Sequence, residues 1–334
     1  CGTGITAASL ICAAKGLVFI YQAYDNHNLQ EAAAHWADFP WRAANAIQDT
    51  GFSEPPDYEN ATQSRHHIAG EFYDVAHPVR RPLHELYLRH TLDVLASSPG
   101  FMITLGYQFA GPLPFQQFFI DTVAGWKRAH GRRGRIVLQK SKAITDAILA
   151  DAARAAHVDA IDTRYWQYTA DGTLFAPDGQ GKLAFREIRN NTFGREVAVP
   201  TKAEFVYRQV REYRDKFPDK AVVAGHGGFG PIAVLMAGGA SPVSAEGGVF
   251  RAGGQRDDAA LLRFVAERVA DVLPRMRPVD GLAGEAWCLA DEKRRAVLIY
   301  SAAGEVITLT QPLAAAEAVW FNPRNGGTTA AKLG

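Results

Sequence analysis

Cysteine is scarce in this chain of 334 residues, which contains only Cys1, Cys12 and Cys288. Their number is odd, and their spacing matches neither a C-x-x-C pair nor a zinc-binding pattern. We therefore expect neither a framework of disulfide bonds nor a cysteine-bound metal.

Long apolar runs and an excess of charge of one sign are also missing. No apolar run approaches the roughly 20 residues that a helix needs to cross a bilayer. The formal net charge is +1, and the densest basic stretch is the short GRRGR at 131–135. The sequence therefore predicts neither a membrane span nor a nucleic-acid partner.

What the chain does have is a large apolar fraction, 47% of its residues, which allows a sizeable core. Six apolar runs of strand length predict buried parallel strands. They are residues 16–21, 101–109, 134–139, 158–166, 220–226 and 232–239. Segments with helical spacing lie between them, namely residues 78–98, 113–131, 143–157 and 201–217, the last with Thr201 as its expected N-cap.

Strand followed by helix in regular succession predicts right-handed βαβ units, and their repetition predicts an α/β fold of the (β/α)8 TIM-barrel type. The alternative is an open doubly wound sheet. Against it, no G-x-G-x-x-G or Walker-type loop follows a predicted strand, since GHGGFG at 225–230 lacks the spacing. Residues 6–16 predict the helix that precedes a third strand, so we expect a barrel that lacks its first strands in this chain, unless these residues hold an unrecognised strand.

The pattern changes after Pro278. Residues 284–310 and 316–329 alternate in the manner of short strands separated by turns. The sequence thus predicts a barrel domain at 1–279 and a small antiparallel β-sandwich domain at 280–334.

A segment rich in acids, histidines and aromatic rings follows the first predicted strand and forms an expected loop from about Asp25 to about His77. Active sites of barrel enzymes lie at the carboxyl ends of the strands, and aromatic faces beside carboxylates suit a carbohydrate. This segment supplies two candidate catalytic residues, His27 and Glu31. Its candidate substrate-binding residues are Asp25, His35, Trp36, Asp38 and Trp41. In the alternative interpretation, Glu31 and His35 form an ordinary i, i+4 pair on a surface helix.

A second cluster follows Ile161. Asp162 is a candidate catalytic acid, and the candidate substrate-binding residues are Arg164, Tyr165 and Trp166. Because strand side chains alternate in direction, about half of these residues are expected to point away from the site and to serve in packing.

The predicted strand at 101–109 resembles the acid-bearing strand of many barrel glycosidases, where a glutamate lies at the carboxyl end. Here the position is held by Gln108, a candidate substrate-binding residue, and an amide cannot exchange a proton as a carboxylic acid does. Either the acid comes from another loop or the protein does not hydrolyse. The candidate replacements are Glu31, Asp38, Asp49, Asp162 and Glu187.

Other chemistries have weaker signals. Several histidines could supply imidazole ligands, but no H-E-x-x-H spacing appears, and no G-x-S-x-G motif indicates a serine hydrolase. The sequence predicts no metal and no other cofactor.

Several segments resemble a bacterial family of glycoside-hydrolase-like barrel proteins, a domain family of unknown function found near polysaccharide-degrading genes. They are residues 27–56, 72–90, 106–123, 142–151 and 161–168. The tail AVWFNPRNGG at 318–327 is similar to the β-sandwich, labelled collagen-binding, that follows the barrel in apiosidase-type glycoside hydrolases. The resemblance implies a barrel with a sandwich and a periplasmic or extracellular location, and it supplies no catalytic pair.

We therefore expect a glycoside hydrolase that acts on a plant or algal polysaccharide or its oligosaccharides, with a carbohydrate substrate bound at the rim of the barrel. The first alternative is a carbohydrate-binding protein without hydrolytic acids. The second is a polysaccharide lyase, with Arg164, Arg186 and Arg189 as partners of uronic-acid carboxylates and Tyr165 or His27 as base.

Overall fold

The structure of the protein is a computed structural model that describes most of the chain. The described residues are 2–16, 18–24, 36–55, 61–96, 100–105, 111–131, 134–163, 165–176, 201–224, 231–241, 260–302, 306–313, 317–323 and 325–332. They divide into two compact units. The described residues up to Trp166, together with Ala176, belong to the first unit, whereas Gln167–Phe175 and those from Thr201 onward belong to the second.

The first unit alternates helices with strands, as the apolar pattern predicts. Its elements are α1 (Gly2–Ala14), β1 (Phe19–Gln22), α2 (Ala61–Phe72), α3 (Arg80–Leu95), β2 (Phe101–Thr104), α4 (Leu113–His130), β3 (Arg135–Gln139), α5 (Lys142–Ala150), α6 (Ala152–Ala155) and β4 (Val158–Asp162). Two short 3-10 helices, Trp36–Asp38 and Ala43–Asn45, precede α2. The predicted strands of this unit are confirmed, with shorter bounds.

Local sequence signals set the ends of two helices. The α4 helix begins after Pro112 and ends at Gly131, whose φ of 58° lies in the left-handed region that favours glycine. At the start of α5, the Ser141 hydroxyl accepts a hydrogen bond from the Ile144 backbone N–H at 3.3 Å. This cap satisfies one of the amide groups that a helix start leaves without a partner.

The strands form a five-stranded sheet in the order β1-β2-β3-β4-β7, in which β7 is Ala221–Val223. The pairs β1 with β2, β2 with β3 and β3 with β4 are all parallel. Strands that follow one another in the chain are therefore neighbours, and their carboxyl ends meet at one edge of the sheet.

An aromatic cluster lies beside the carboxyl end of β1. Its members are Tyr24, Trp36, Phe39, Trp41, Phe52, Phe72, Tyr73, His84 and Phe115. Large rings bury much apolar area, and edge-to-face contacts add to the stabilisation. The cluster therefore anchors the segment that precedes α2.

His84 lies at the centre of this cluster and is fully buried. Its Nε2 lies 2.9 Å from the Phe72 carbonyl, which can only accept, so Nε2 bears the hydrogen. The Tyr24 hydroxyl therefore donates to Nδ1, at 3.0 Å. Burial lowers the pKa of His84 to about 3.

We expect His84 to make the fold sensitive to acid. The unfolded chain binds a proton at His84 below the ordinary pKa of 6.5, whereas the folded chain does so only below about 3. The free energy of unfolding should therefore fall as pH drops from about 6.5 towards 3, because the unfolded state binds more protons there. Urea unfolding of the wild type and of His84→Gln across this range measures the slope. Glutamine retains an acceptor and a donor but does not titrate, so identical slopes would contradict the assignment.

The second unit combines helices with small antiparallel sheets. Its elements are β5 (Gln167–Tyr168), β6 (Leu174–Phe175), α7 (Ala203–Lys216), β7, α8 (Pro231–Met236), β8 (Arg277–Pro278), β9 (Trp287–Ala290), β10 (Val297–Tyr300), β11 (Val319–Phe321) and β12 (Thr328–Ala330). The β8, β9 and β10 strands form one antiparallel sheet, and β5–β6 and β11–β12 form two more. The sequence prediction of short antiparallel strands at the end of the chain is therefore confirmed.

Side chains of α7 contact the C-terminal sheet within this unit. The Tyr207 ring stacks on Trp287, with ring centroids 4.5 Å apart. Arg211 donates two hydrogen bonds of 2.8 Å to the Asp280 carboxylate. The domain boundary predicted at residue 280 therefore falls inside the second unit.

Three predictions of local structure are wrong. Residues 232–239 contain α8 rather than a strand, because Pro231 starts a helix and a short apolar run does not distinguish a buried strand from a buried helix. The expected loop up to His77 contains α2, whose few apolar residues give little helical period. The N-cap of α7 is Lys202 rather than Thr201, and no side-chain cap bond forms.

The protein is thus a mixed α/β protein with a parallel five-stranded sheet and smaller antiparallel sheets. None of the helices in the described part is both long enough and apolar enough to cross a membrane.

Candidate functional site

Polar side chains share one face of the parallel sheet at its carboxyl edge. Gln22 of β1 pairs in register with Thr104 of β2, and Gln139 of β3 pairs with Asp162 of β4. The β2–β3 register aligns Met102 with Arg135, and side chains two residues apart on a strand share a face, so Thr104 and Gln139 lie on the same side. We call Thr104, Gln139 and Asp162, together with Lys140, which directly follows Gln139 in the chain, the strand-end cluster.

Asp162 and Gln139 form a buried pair in this cluster. Asp162 is 3% exposed and Gln139 is 4% exposed. The Gln139 Nε2 donates a hydrogen bond of 3.2 Å to Asp162 Oδ2. A buried carboxylate without a hydrogen-bond donor is costly, so the amide offsets part of the cost of burying Asp162.

A β-bulge sets this pairing. Ile136 aligns with Val158 but the next residue, Val137, aligns with Ala160, so Asp159 is the extra residue of β4. Asp159 Oδ2 accepts a hydrogen bond of 2.9 Å from the Ile136 backbone N–H. Without the bulge, Gln139 would lie opposite Ile161. Bulges often redirect side chains beside functional sites, and this one brings Asp162 opposite the amide.

Lys140 follows Gln139 directly and is 2% exposed. Burial lowers its pKa to about 7, because desolvation disfavours the ammonium form. A lysine that titrates near neutral pH can give up or take a proton, which an exposed lysine hardly does.

Thr104 completes the described cluster at the end of β2. Its hydroxyl oxygen is buried, and it has no hydrogen-bond partner in the part of the chain that the structure describes. Such a group is uncommon in native structures and marks a place where a water or a ligand hydroxyl could bind.

Tyr165 and Trp166, two predicted substrate-binding residues, lie just after β4. Both side chains are buried. The Lys142 Nζ lies 5.0 Å from the centroid of the Trp166 ring, within the range of a cation–π contact. Lys142 also donates to Asp146 at 2.6 Å. Both aromatic residues follow Asp162 within four residues along the chain. Their contact with substrate stays a prediction.

The structure places Trp36 and Trp41 in the aromatic cluster. Trp36 is 2% exposed and stacks on Phe39, and its Nε1 donates to Glu54 Oε2 at 2.5 Å. The half-buried Trp41 packs on His84, with ring centroids 4.4 Å apart. These contacts are those of packing residues, whereas Asp38 lies exposed at the end of a 3-10 helix.

The remaining predicted site residues lie outside the described residues. They are Asp25, His27, Glu31, His35, Gln108 and Arg164. Their convergence with Asp162 and Trp166 on one pocket stays a prediction. In the described ranges, no group of three or more His, Cys, Asp and Glu side chains is arranged to hold a metal ion.

The sequence pattern did not indicate Thr104, Gln139 or Lys140 as site residues. Gln139 and Lys140 lie at the end of the predicted strand 134–139, where the rule for barrel active sites would have located them, whereas Thr104 lies inside the predicted strand 101–109. The signal was the polar pair Gln139–Lys140 directly after the apolar stretch Ile136–Leu138, which a search for titratable loop residues passes over.

We expect Lys140→Met to stabilise the protein at neutral pH. Between about 7 and the ordinary lysine value of 10.5, the unfolded chain binds a proton at Lys140 that the folded chain does not. The wild type therefore gains stability as pH rises through this range, and the variant lacks that dependence. Thermal unfolding at pH 7 and pH 10 should show an advantage of the variant that shrinks with pH. Lys202→Met, at a side chain 58% exposed, is the control and should change little.

The fold and the strand-end cluster define a mixed α/β protein with a buried carboxylate and a buried amine at the carboxyl edge of its parallel sheet. The chain belongs to the family described as a domain of unknown function, DUF6298, whose model matches residues 6–247. No curated protein and no solved structure matches the chain.

Proposed function

We propose that the protein is a glycoside hydrolase whose active site includes the strand-end cluster. The observation that supports this most directly is the buried Asp162 carboxylate at the carboxyl end of β4, held by the Gln139 amide. A carboxylate is the group that stabilises or attacks the anomeric carbon in most glycosidases, and in barrel enzymes the catalytic groups lie at strand ends.

We further propose that the parallel sheet is part of a (β/α)8 barrel. Four consecutive strands pair in chain order and in parallel, with helices between them. An open doubly wound sheet reverses its strand order at a switch point, and the strands β1 to β4 show no such reversal. In a barrel, the carboxyl ends of these strands would surround one cavity, with Asp162 at its rim.

The groups around Asp162 suit a polyhydroxylated substrate. Amide, hydroxyl and carboxylate groups can each bind a sugar hydroxyl, and the cluster provides Gln139, Thr104 and Asp162. Tyr165 and Trp166 follow on the same connection and would supply apolar surface for the C–H face of a sugar ring. By resemblance, the substrate is a plant or algal polysaccharide or its oligosaccharides, met in the periplasm or outside the cell.

We expect Asp162→Asn to lose two or more orders of magnitude in turnover while the fold is retained. The asparagine keeps the size of the side chain but cannot act as a carboxylate in the transition state. A panel of plant and algal polysaccharides, assayed for released reducing ends and for the absorbance of unsaturated products, first identifies the substrate. Circular dichroism and thermal unfolding then verify the fold of the variant.

Asp121→Asn is the matched control, since this side chain of α4 is half exposed and pairs with Arg154 of α6. It should retain wild-type turnover. Glu31→Gln, at the other predicted acid, should also lose activity if Glu31 shares the site. Unchanged turnover in Asp162→Asn would contradict the proposed role of the Asp162 carboxylate. Binding of a polysaccharide without release of reducing ends would favour the carbohydrate-binding alternative.

A further inference from the structure

We propose that Thr104 determines specificity at this site, and that its hydroxyl binds one hydroxyl group of the sugar. The inference rests on the proposed glycosidase function and names a feature of the substrate, a free hydroxyl at the position that reaches Thr104. A site that hydrogen-bonds a substrate hydroxyl rejects analogues that lack it, because the buried group of the protein is then left unpaired.

The Thr104 hydroxyl is a buried polar group that the folded chain leaves unused. The residue is 4% exposed, and its Oγ1 has no hydrogen-bond partner among the described residues. Thr122 in the same unit differs in this respect, since its buried hydroxyl donates to the Phe118 carbonyl at 2.8 Å. Nearly all buried polar groups in native proteins have a partner, so an unpaired hydroxyl indicates a place for a group from outside the chain.

The amide nearest to Thr104 in the sheet is used elsewhere. Gln22 lies opposite Thr104 in the register of β1 and β2, and neighbouring strands lie about 4.8 Å apart. The Gln22 Nε2 nevertheless donates to the Tyr24 carbonyl, at 2.9 Å. This bond directs the amide along its own strand, and the Thr104 hydroxyl gains no partner from it.

Thr104 lies on the face of the sheet opposite to the α4 helix. Phe101, three residues earlier on β2, packs against Trp126 of α4, with ring centroids 6.4 Å apart. Because side chains alternate along a strand, Thr104 points to the other face. Gln139 and Asp162 share that face with Thr104. The unpaired hydroxyl and the proposed catalytic carboxylate are therefore on one side of the sheet.

Solvent reaches this face next to Thr104. Ile20 and Gln22 of β1 belong to the same face, because they pair in register with Met102 and Thr104. Ile20 is 55% exposed, and Gln22 is exposed as well. A sugar hydroxyl therefore has an approach to the Thr104 side chain from the neighbouring strand.

The register places Thr104 within reach of a sugar bound at Asp162. Ile103 aligns with Ile136, so Thr104 lies one strand away from Gln139 and two residues before it. With strands about 4.8 Å apart and a rise of about 3.3 Å per residue, the Cα atoms of Thr104 and Asp162 are about 12 Å apart. Both side chains extend from the same face, so one sugar unit can contact the two together.

Thr104→Val and Thr104→Ser test the contact, because valine keeps the shape of the side chain without the hydroxyl and serine keeps the hydroxyl. The probes are oligosaccharides of arabinoxylan, xyloglucan, pectin and alginate. On the one that the wild type cleaves, we expect Thr104→Val to lose about 10-fold or more in kcat/KM and Thr104→Ser less than about 3-fold. Thr122→Val is the matched control and should also change less than about 3-fold.

Thermal unfolding without substrate separates this role from a structural one. Thr104→Val should unfold at the temperature of the wild type or above it, because it removes a hydroxyl that has no partner. Thr122→Val removes a hydrogen-bonded hydroxyl and should unfold at a lower temperature. A comparable loss in Thr104→Val would show that its hydroxyl is already paired in the free protein, and would overturn the inference.

Substrates that lack single hydroxyl groups identify the partner of Thr104. The probes are 4-nitrophenyl glycosides of the sugar that the wild type releases, each with one hydroxyl replaced by hydrogen. The wild type should lose about 10-fold or more in kcat/KM on one of them. Thr104→Val should lose less than about 3-fold on that same glycoside, because both changes remove the same hydrogen bond.

Two results would overturn this inference alone. They are an unchanged kcat/KM in Thr104→Val, which would assign the hydroxyl to a buried water, and equal losses of wild type and Thr104→Val on every deoxy glycoside. A wild type that cleaves none of the oligosaccharides would instead refute the glycosidase function, and the inference with it.

Discussion

The hydrogen bond between the Gln139 amide and the Asp162 carboxylate is the constraint on which the candidate site depends. Both groups are buried, and a buried carboxylate without a donor would be costly. The bond can form only because β4 has one extra residue, Asp159, before the pair. Asp159 is itself fixed by hydrogen bonds from the Ile136 backbone N–H and from Arg135. The Asp159 carboxylate thus helps to set the register that places Gln139 opposite Asp162.

A second set of contacts holds the carboxyl end of β1. The Tyr24 backbone N–H donates to the Leu105 carbonyl beyond β2, and its side chain donates to His84 in the aromatic cluster. The Tyr87 hydroxyl donates to the Ala23 carbonyl. This end of the sheet is therefore fixed by rings and hydroxyl groups, whereas the ends of β3 and β4 are fixed by an amide and a carboxylate. Within one sheet, aromatic packing thus fixes one strand end and polar side chains fix two others.

The sequence predicted the succession of elements well where local signals and burial agree. The α4 helix combines an apolar face with a start at Pro112 and an end at Gly131, and β1 to β4 are short apolar runs. It failed where the signal depends on tertiary contacts. The α2 helix has few apolar residues, and α8 resembles a strand in composition. The bulge at Asp159 has no sequence signature, since it is defined by the partner strand.

In the candidate site too, the sequence predicted what local signals determine and failed where the role of a residue depends on tertiary contacts. Asp162 follows from the rule that strand ends form active sites, and the structure gives it a buried position and a partner. Trp36 and Trp41 were predicted from composition, but a ring beside an acid is equally a packing residue, and here both belong to the aromatic cluster. Composition alone cannot separate these roles, because each depends on which neighbours cover the ring faces.

Lys140 is the residue whose presence packing explains least. Its burial destabilises the folded state at neutral pH, since desolvation of the ammonium lowers its pKa to about 7. A methionine or leucine would fill the same space without that cost, and proteins keep such destabilising groups mainly where function requires them. The Asp162 carboxylate has a donor that offsets its burial, whereas desolvation dominates at Lys140. The carboxyl ends of β3 and β4 therefore hold a buried carboxylate with an amide donor and a buried amine whose proton is readily lost near neutral pH.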